Sequence, residues 1–161
     1  MKQGGQSTLY AIMLMPTLLM AMSLVADVGS LQVHRVQLSW ANDMALVDAV
    51  TEVDPAFYAD TGRLRLDPAA ITIFRQYLAL NLEPLRNQMA GTTPSSVAEG
   101  AEVVIVNSTP ATNPFSGHLL DRPAICARIK VPFRTGLLAL AGLTPVRTLT
   151  ISGDAEIKTD A

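Results

Sequence analysis

The stretch Leu9–Ala26, LYAIMLMPTLLMAMSLVA, constrains this chain more than any other, because it holds no charged residue and the uncharged run reaches back to Gln3. At about 1.5 Å per residue, its 18 residues would span roughly 27 Å as a helix, close to the ~30 Å hydrocarbon thickness of a bilayer. The spacing therefore predicts a transmembrane helix at 9–26. A short N-terminus at 1–8 precedes it, cytoplasmic or a leader, and a polar domain follows at 27–161. Lys2 before the run and Asp27 after it orient the N-terminus inside and the C-terminal domain outside. A cleaved secretory signal is the competing reading, but the apolar run exceeds an h-region and Ser23–Val28 makes an indifferent cleavage site.

Without the span, about 135 residues remain, enough for one modest core. A net charge of −2 and a pI near 5.6 leave no basic footprint, so nucleic acid is not an expected partner. Cys126 is the single cysteine, which rules out an intramolecular disulfide and leaves packing to hold the domain. His34 and His118 stand far apart, so no metal site is expected, and nothing in the sequence asks for a cofactor.

Pro16 removes a backbone donor inside the span and predicts a kink, with bundled neighbouring helices or Thr17 to satisfy the freed carbonyl. No turn signal follows the span, so the helix should continue through 27–53 to about Glu52, with Pro55 as the stop. Beyond the bilayer, Val33, Val36, Trp40, Met44 and Val47 share one helical stripe. Leu31, Leu38, Ala45, Leu46 and Val53 form a second arc on nearly the opposite side. A helix with two apolar sides needs two partners: its own sheet for one, a neighbouring subunit for the other.

Residues 54–66 read as a turn-rich connection. Within it, Asp60-Thr61-Gly62 matches the triplet of aspartic proteases, but one copy supplies one carboxylate, so a surface turn is the better reading. Asp67-Pro68 predicts the start of a second helix over 67–83, with Ile71, Phe74, Leu78 and Leu82 at helical spacing and an end before Pro84. Loops are expected over 85–100 and 107–123. The sheet region, 101–158, holds three strands. AEVVIV (101–106) reads as covered on both faces. Ile125 to Phe133 alternate apolar and polar, which puts Cys126 on the more polar face or near an edge, half buried. Leu149 to Ile157 alternate likewise. GLLALAGLTP (136–145) reads as a short helix or an apolar turn. The fold class is α+β: a long N-terminal transmembrane helix continuing into a domain with a small antiparallel sheet of three or four strands and a second helix.

Charge is segregated. Asp43, Asp48, Glu52, Asp54 and Asp60 make the outer helix acidic, whereas Arg122, Arg128, Lys130, Arg134 and Arg147 make the sheet basic. These surfaces are expected to face one another, within a molecule or between subunits, with Asp48 and Arg128 as a representative pair.

The N-terminal string resembles TadE/TadG-like proteins of the tight-adherence (Flp) pilus system. The residues that carry the resemblance are Gly5, Gln6, Pro16, Asp27, Gly29, Arg35, Gln37, Ala41, Asp43, Ala45 and Ala49, over roughly residues 4–50. The resemblance implies a non-enzymatic minor pilin or pseudopilin-like component in the cytoplasmic (inner) membrane that works by helix–helix packing and can enter an extracellular filament. Its expected partners are the lipid bilayer, other pilin or pilus-assembly subunits in a homo- or hetero-oligomer, and a prepilin peptidase cutting between Gly5 and Gln6. Tyr10 stands where such prepilins commonly carry glutamate, so an uncleaved anchor remains open beside cleavage. Tyr10, Met13, Pro16, Leu19 and Met20 form the expected packing patch in the membrane, and Val33, Val36, Trp40, Met44 and Val47 the interface outside it. The alternative is a membrane-tethered extracytoplasmic binding module using the 107–123 loop. An exported hydrolase built on Asp60 is a third reading.

Overall fold

A computed structural model describes residues 4–135 and 146–158. Helix α1 runs without a break from Gly4 to Ala49, 46 residues, or roughly 70 Å at the helical rise. Leu, Met and Ala lose little side-chain freedom in a helix and dominate its first half. The helix passes through Pro16. Thr17 Oγ1 donates to the Met13 carbonyl at 3.2 Å, one residue beyond the Ile12 carbonyl that proline leaves without its i+4 donor, so Thr17 does not fill the role expected of it. The helix stops three residues short of Glu52. Thr51 Oγ1 there donates to the Asp48 carbonyl at 2.7 Å and Glu52 N–H to Ala49 at 3.2 Å, using up carbonyls that a further turn would need.

The expected connection at 54–66 contains a helix, α2 (Pro55–Thr61). Its signals are local. Asp54 accepts the Phe57 N–H, Pro55 occupies the first turn, and Gly62 at φ +66° closes the end in a left-handed conformation. The excursion is pinned at its base by the Val53–Leu66 bridge and the Asp67 N–H to Glu52 carbonyl bond.

Helix α3 (Ala69–Leu82) starts where Asp67 Oδ1 accepts the Ala69 N–H at 2.7 Å. Its buried row is Ala70, Phe74, Leu78 and Leu82, a strict i+4 repeat that leaves Ile71 half-buried. Pro84 does not stop the chain but turns it into a 3₁₀ segment, Glu83–Gln88. A proline in a first helical turn forfeits no bond that the turn would have made. The expected 85–100 loop also contains α4 (Pro94–Glu99), capped reciprocally by Thr93 and Ser96.

The main sheet comprises β1 (Glu102–Val106), β4 (Ala124–Arg134) and β5 (Val146–Glu156), antiparallel with β4 in the centre. A second pairing joins β2 (Ala111–Thr112) to β3 (Leu119–Leu120) inside the expected 107–123 loop. The helices cover one sheet face. Leu38, Ala41, Ala45, Leu46 and Ala49 of α1 are buried with Phe74, Leu78 and Leu82 of α3 and with Ile125, Ala127, Ile129, Val131 and Phe133 of β4. Each fully buried leucine or phenylalanine contributes about 1.5–3 kcal/mol of transfer free energy. His34 stacks on Phe133 with ring centroids 4.6 Å apart, and Asn81 Nδ2 donates to the Ala41 carbonyl, fastening α3 to α1.

Several expectations for the sheet need correction. β1 is an edge strand with Val104 exposed, because only the inner face of the sheet is covered at that position. Cys126 lies in the central strand and is fully buried: Leu120 of the β2–β3 hairpin packs over it with Ala124, Val106 and Phe115. Burial, with Asp154 and Glu156 close by, pushes the Cys126 thiol up to about 11. Asp48 and Arg128 do not pair within the molecule, since Arg128 is on the outer face of β4 and α1 on the inner. Arg128 and Lys130 instead both donate to Glu102 of β1, holding its carboxyl below the ordinary value. The stretch 136–145 lies outside the described residues.

Candidate functional site

The surface that the fold leaves unfinished is α1 itself. From Ile12 to Met22 every side chain is exposed, including Met13, Pro16, Leu19 and Met20, and Tyr10 beside them is exposed too. Nothing in a soluble fold compensates such an apolar surface, and the segment is long and apolar enough to cross a bilayer. Asp27, at the end of the run, is the first buried residue among the described side chains of α1.

Past Asp27 the two apolar sides of α1 part company. The arc with Leu38, Ala45 and Leu46 is sealed, with at most 1% of each residue exposed. The stripe on the other side is open: Val33 is 54% exposed, Val36 69%, Trp40 59%, Met44 41% and Val47 54%. Alternation of the two rows along one helix explains the contrast, since the sheet and α3 approach from one side only. The open stripe is not flat. Trp40 and Val36 border a groove of about 420 Å³ whose far wall is Asn81, Pro84 and Leu85, from the end of α3 and the 3₁₀ segment. The sequence pattern found the helix half of this groove. It missed the far wall because Pro84 reads as a helix stop and not as the start of a turn packed beside α1.

The remaining candidates are dispersed. Gly5 and Gln6 lie in the first turns of α1. Asp60 is exposed in the last turn of α2, and its neighbour Gly62 is the helix cap, which accounts for the Asp-Thr-Gly triplet by local backbone geometry. Asn107, the first residue of a glycosylation-like triplet, is used structurally: its side chain accepts the Leu66 N–H and donates to the Leu66 carbonyl. Residues 107–109 with Tyr58, Arg63, Arg122 and Ile157 line an open depression of about 740 Å³. His118 sits in the β2–β3 hairpin, with Nδ1 3.7 Å from Asp154 Oδ2.

Fold and surface together define a class: a small α+β domain carried on one long helix whose lipid-length half and outer stripe are both left exposed by the described residues. Residues 5–49 match a family model described as putative Flp pilus-assembly TadE/G-like. The match coincides with α1, less than a third of the chain, and agrees with the resemblance read from Gly5 to Ala49. No curated protein and no solved structure matches the chain.

Proposed function

We propose that this chain is a membrane-anchored, non-enzymatic component of tight-adherence pilus assembly, held in the inner membrane by residues 9–26 with its C-terminal domain, 27–161, outside. It acts by helix packing. In the bilayer, Tyr10, Met13, Pro16, Leu19 and Met20 meet lipid or neighbouring helices. Outside it, Val33, Val36, Trp40, Met44 and Val47 meet another pilin or pilus-assembly subunit. The observation that carries this reading is the division of α1 into a sealed arc and an open apolar stripe, on a helix whose sequence matches the TadE/G-like model. Burying the open stripe against a second helix would remove several large apolar side chains from water, each worth about 1.5–3 kcal/mol if fully covered.

Deletion of the gene in the native host, with pili counted and the protein located by fractionation, tests the role. Loss of pili that the intact gene restores supports it. Normal piliation with the protein confined to the membrane refutes it and favours the tethered binding module. Handling by a prepilin peptidase is read from intact mass: a native chain beginning at Gln6 supports cleavage after Gly5, and one beginning at Met1 leaves an uncleaved anchor.

A further inference from the structure

The β2–β3 hairpin brings one imidazole to two carboxylates that the sequence separates by more than thirty residues. Asp154 and Glu156 are two apart on β5 and therefore point from the same outer face of the sheet. His118 hangs over them from the hairpin, and one ligand atom from each of the three lies within 4.8 Å of the others. We propose that His118, Asp154 and Glu156 form a binding site for a first-row divalent metal ion of the zinc type, which clamps the hairpin to β5.

Three observations support the assignment. First, the spacing suits a shared ion better than a direct bond. His118 Nδ1 and Asp154 Oδ2 are 3.7 Å apart, too far for a good hydrogen bond, whereas two ligands on a tetrahedral zinc with bonds of about 2.1 Å stand roughly 3.4 Å apart. The widest spacing among the three ligand atoms, at most 4.8 Å, exceeds that tetrahedral separation by no more than about 1.4 Å. Second, the carboxylates are not claimed by cations. Among the described residues no lysine or arginine nitrogen lies within 4.0 Å of either, and Arg128 and Lys130, in the neighbouring rows of the same face, both turn to Glu102. Two anions side by side at partly buried positions repel each other, and a divalent cation relieves that repulsion. Third, Asp154 is oriented from behind: Asn113, 1% exposed, donates from Nδ2 to Asp154 Oδ1 at 2.7 Å and leaves Oδ2 toward the histidine. Such partners behind a ligand fix its direction and tune its affinity. One nitrogen and two carboxylate oxygens favour zinc-like ions over calcium, which takes six to eight oxygens.

The test uses the untagged full chain in mild detergent, stripped with chelator and titrated with Zn²⁺ by calorimetry. The expected result is one Zn²⁺ per chain, weakened about tenfold or more in His118→Asn and in Glu156→Gln and unchanged in His34→Asn. Asp154 is spared because its loss also strands Asn113. Hydrogen exchange of residues 111–120 should slow on adding Zn²⁺ to the unsubstituted chain and not in His118→Asn. Absence of stoichiometric binding overturns the proposal, as does binding undiminished in both variants. Equal binding of Ca²⁺ that survives His118→Asn overturns the role of the imidazole.

Discussion

At Gly153 the long helix lies close enough to the sheet that one added methyl group should push them apart. An ideal Cβ at this position would meet Asn42 Nδ2 at 2.8 Å, Asp43 Oδ1 at 3.1 Å and Leu46 Cδ1 at 3.1 Å. Asp43 is exposed and can swing away. Asn42 and Leu46 are at most 1% exposed, so neither has space to yield without moving α1 or β5. Overpacking of this kind costs about 1–3 kcal/mol, offset by about 0.4–1 kcal/mol because alanine restricts the unfolded chain more than glycine does. Gly153→Ala should therefore destabilise the domain by up to about 2.6 kcal/mol, centred on about 1 kcal/mol. Gly29→Ala is the control: a Cβ there meets nothing within 4 Å, and alanine in place of a helical glycine should gain about 0.5–1 kcal/mol. Urea unfolding of the full chain in mild detergent can be followed through Cys126, whose thiol is buried in the native domain and is the only one in the chain. A Gly153→Ala variant stabilised as much as the Gly29→Ala control would refute the packing of α1 across β5.

Three further outcomes follow from the same structure. Leu38→Ala should cost about 2–5 kcal/mol in the same unfolding assay and Val36→Ala less than about 0.5 kcal/mol, although both are apolar residues two apart on α1. The Glu102 carboxyl is held below its ordinary value of 4.5 by Arg128 and Lys130, so its contribution is present above that pH and fades as pH falls through the lowered folded value. A pH series of urea midpoints should accordingly lose less stability on acidification in Glu102→Gln than in the unsubstituted chain. Cys126 should resist alkylation at pH 8 in the native chain and react at an ordinary thiol rate once urea has unfolded it, since both burial and a raised pKa suppress the thiolate.

The elements with long, regular patterns were legible from sequence. Eighteen uncharged residues announce α1, alternation announces β4 and β5, and a 3-4-4-3 spacing separates the stripe with Trp40 from the arc with Leu38. What escaped was shorter or depended on distant residues. α2 and α4 are six or seven residues long, and their signals are caps at Asp54, Gly62 and Thr93 that also read as turns. The burial of Cys126 depends on a hairpin folding over it from residues 111–120, which strand alternation alone does not reveal. Within the molecule Arg128 pairs with Glu102 and not with Asp48, because sheet register, which sequence charge does not reveal, places Glu102 directly opposite it. For the same reason no spacing rule would bring His118 to Asp154 and Glu156. Of the groove beside Trp40, the α1 wall is visible as periodicity, and the Asn81, Pro84 and Leu85 wall requires the fold.

The proposed function requires the open stripe of α1 to serve a partner and not the fold. The most direct measurement is the number of pili on native-host cells whose only copy of the chain carries Val36→Asp and Trp40→Asp. The expected variant reaches the membrane and keeps Cys126 protected from alkylation, yet fails to support piliation. Wild-type numbers of pili with the Cys126 thiol equally protected would contradict it.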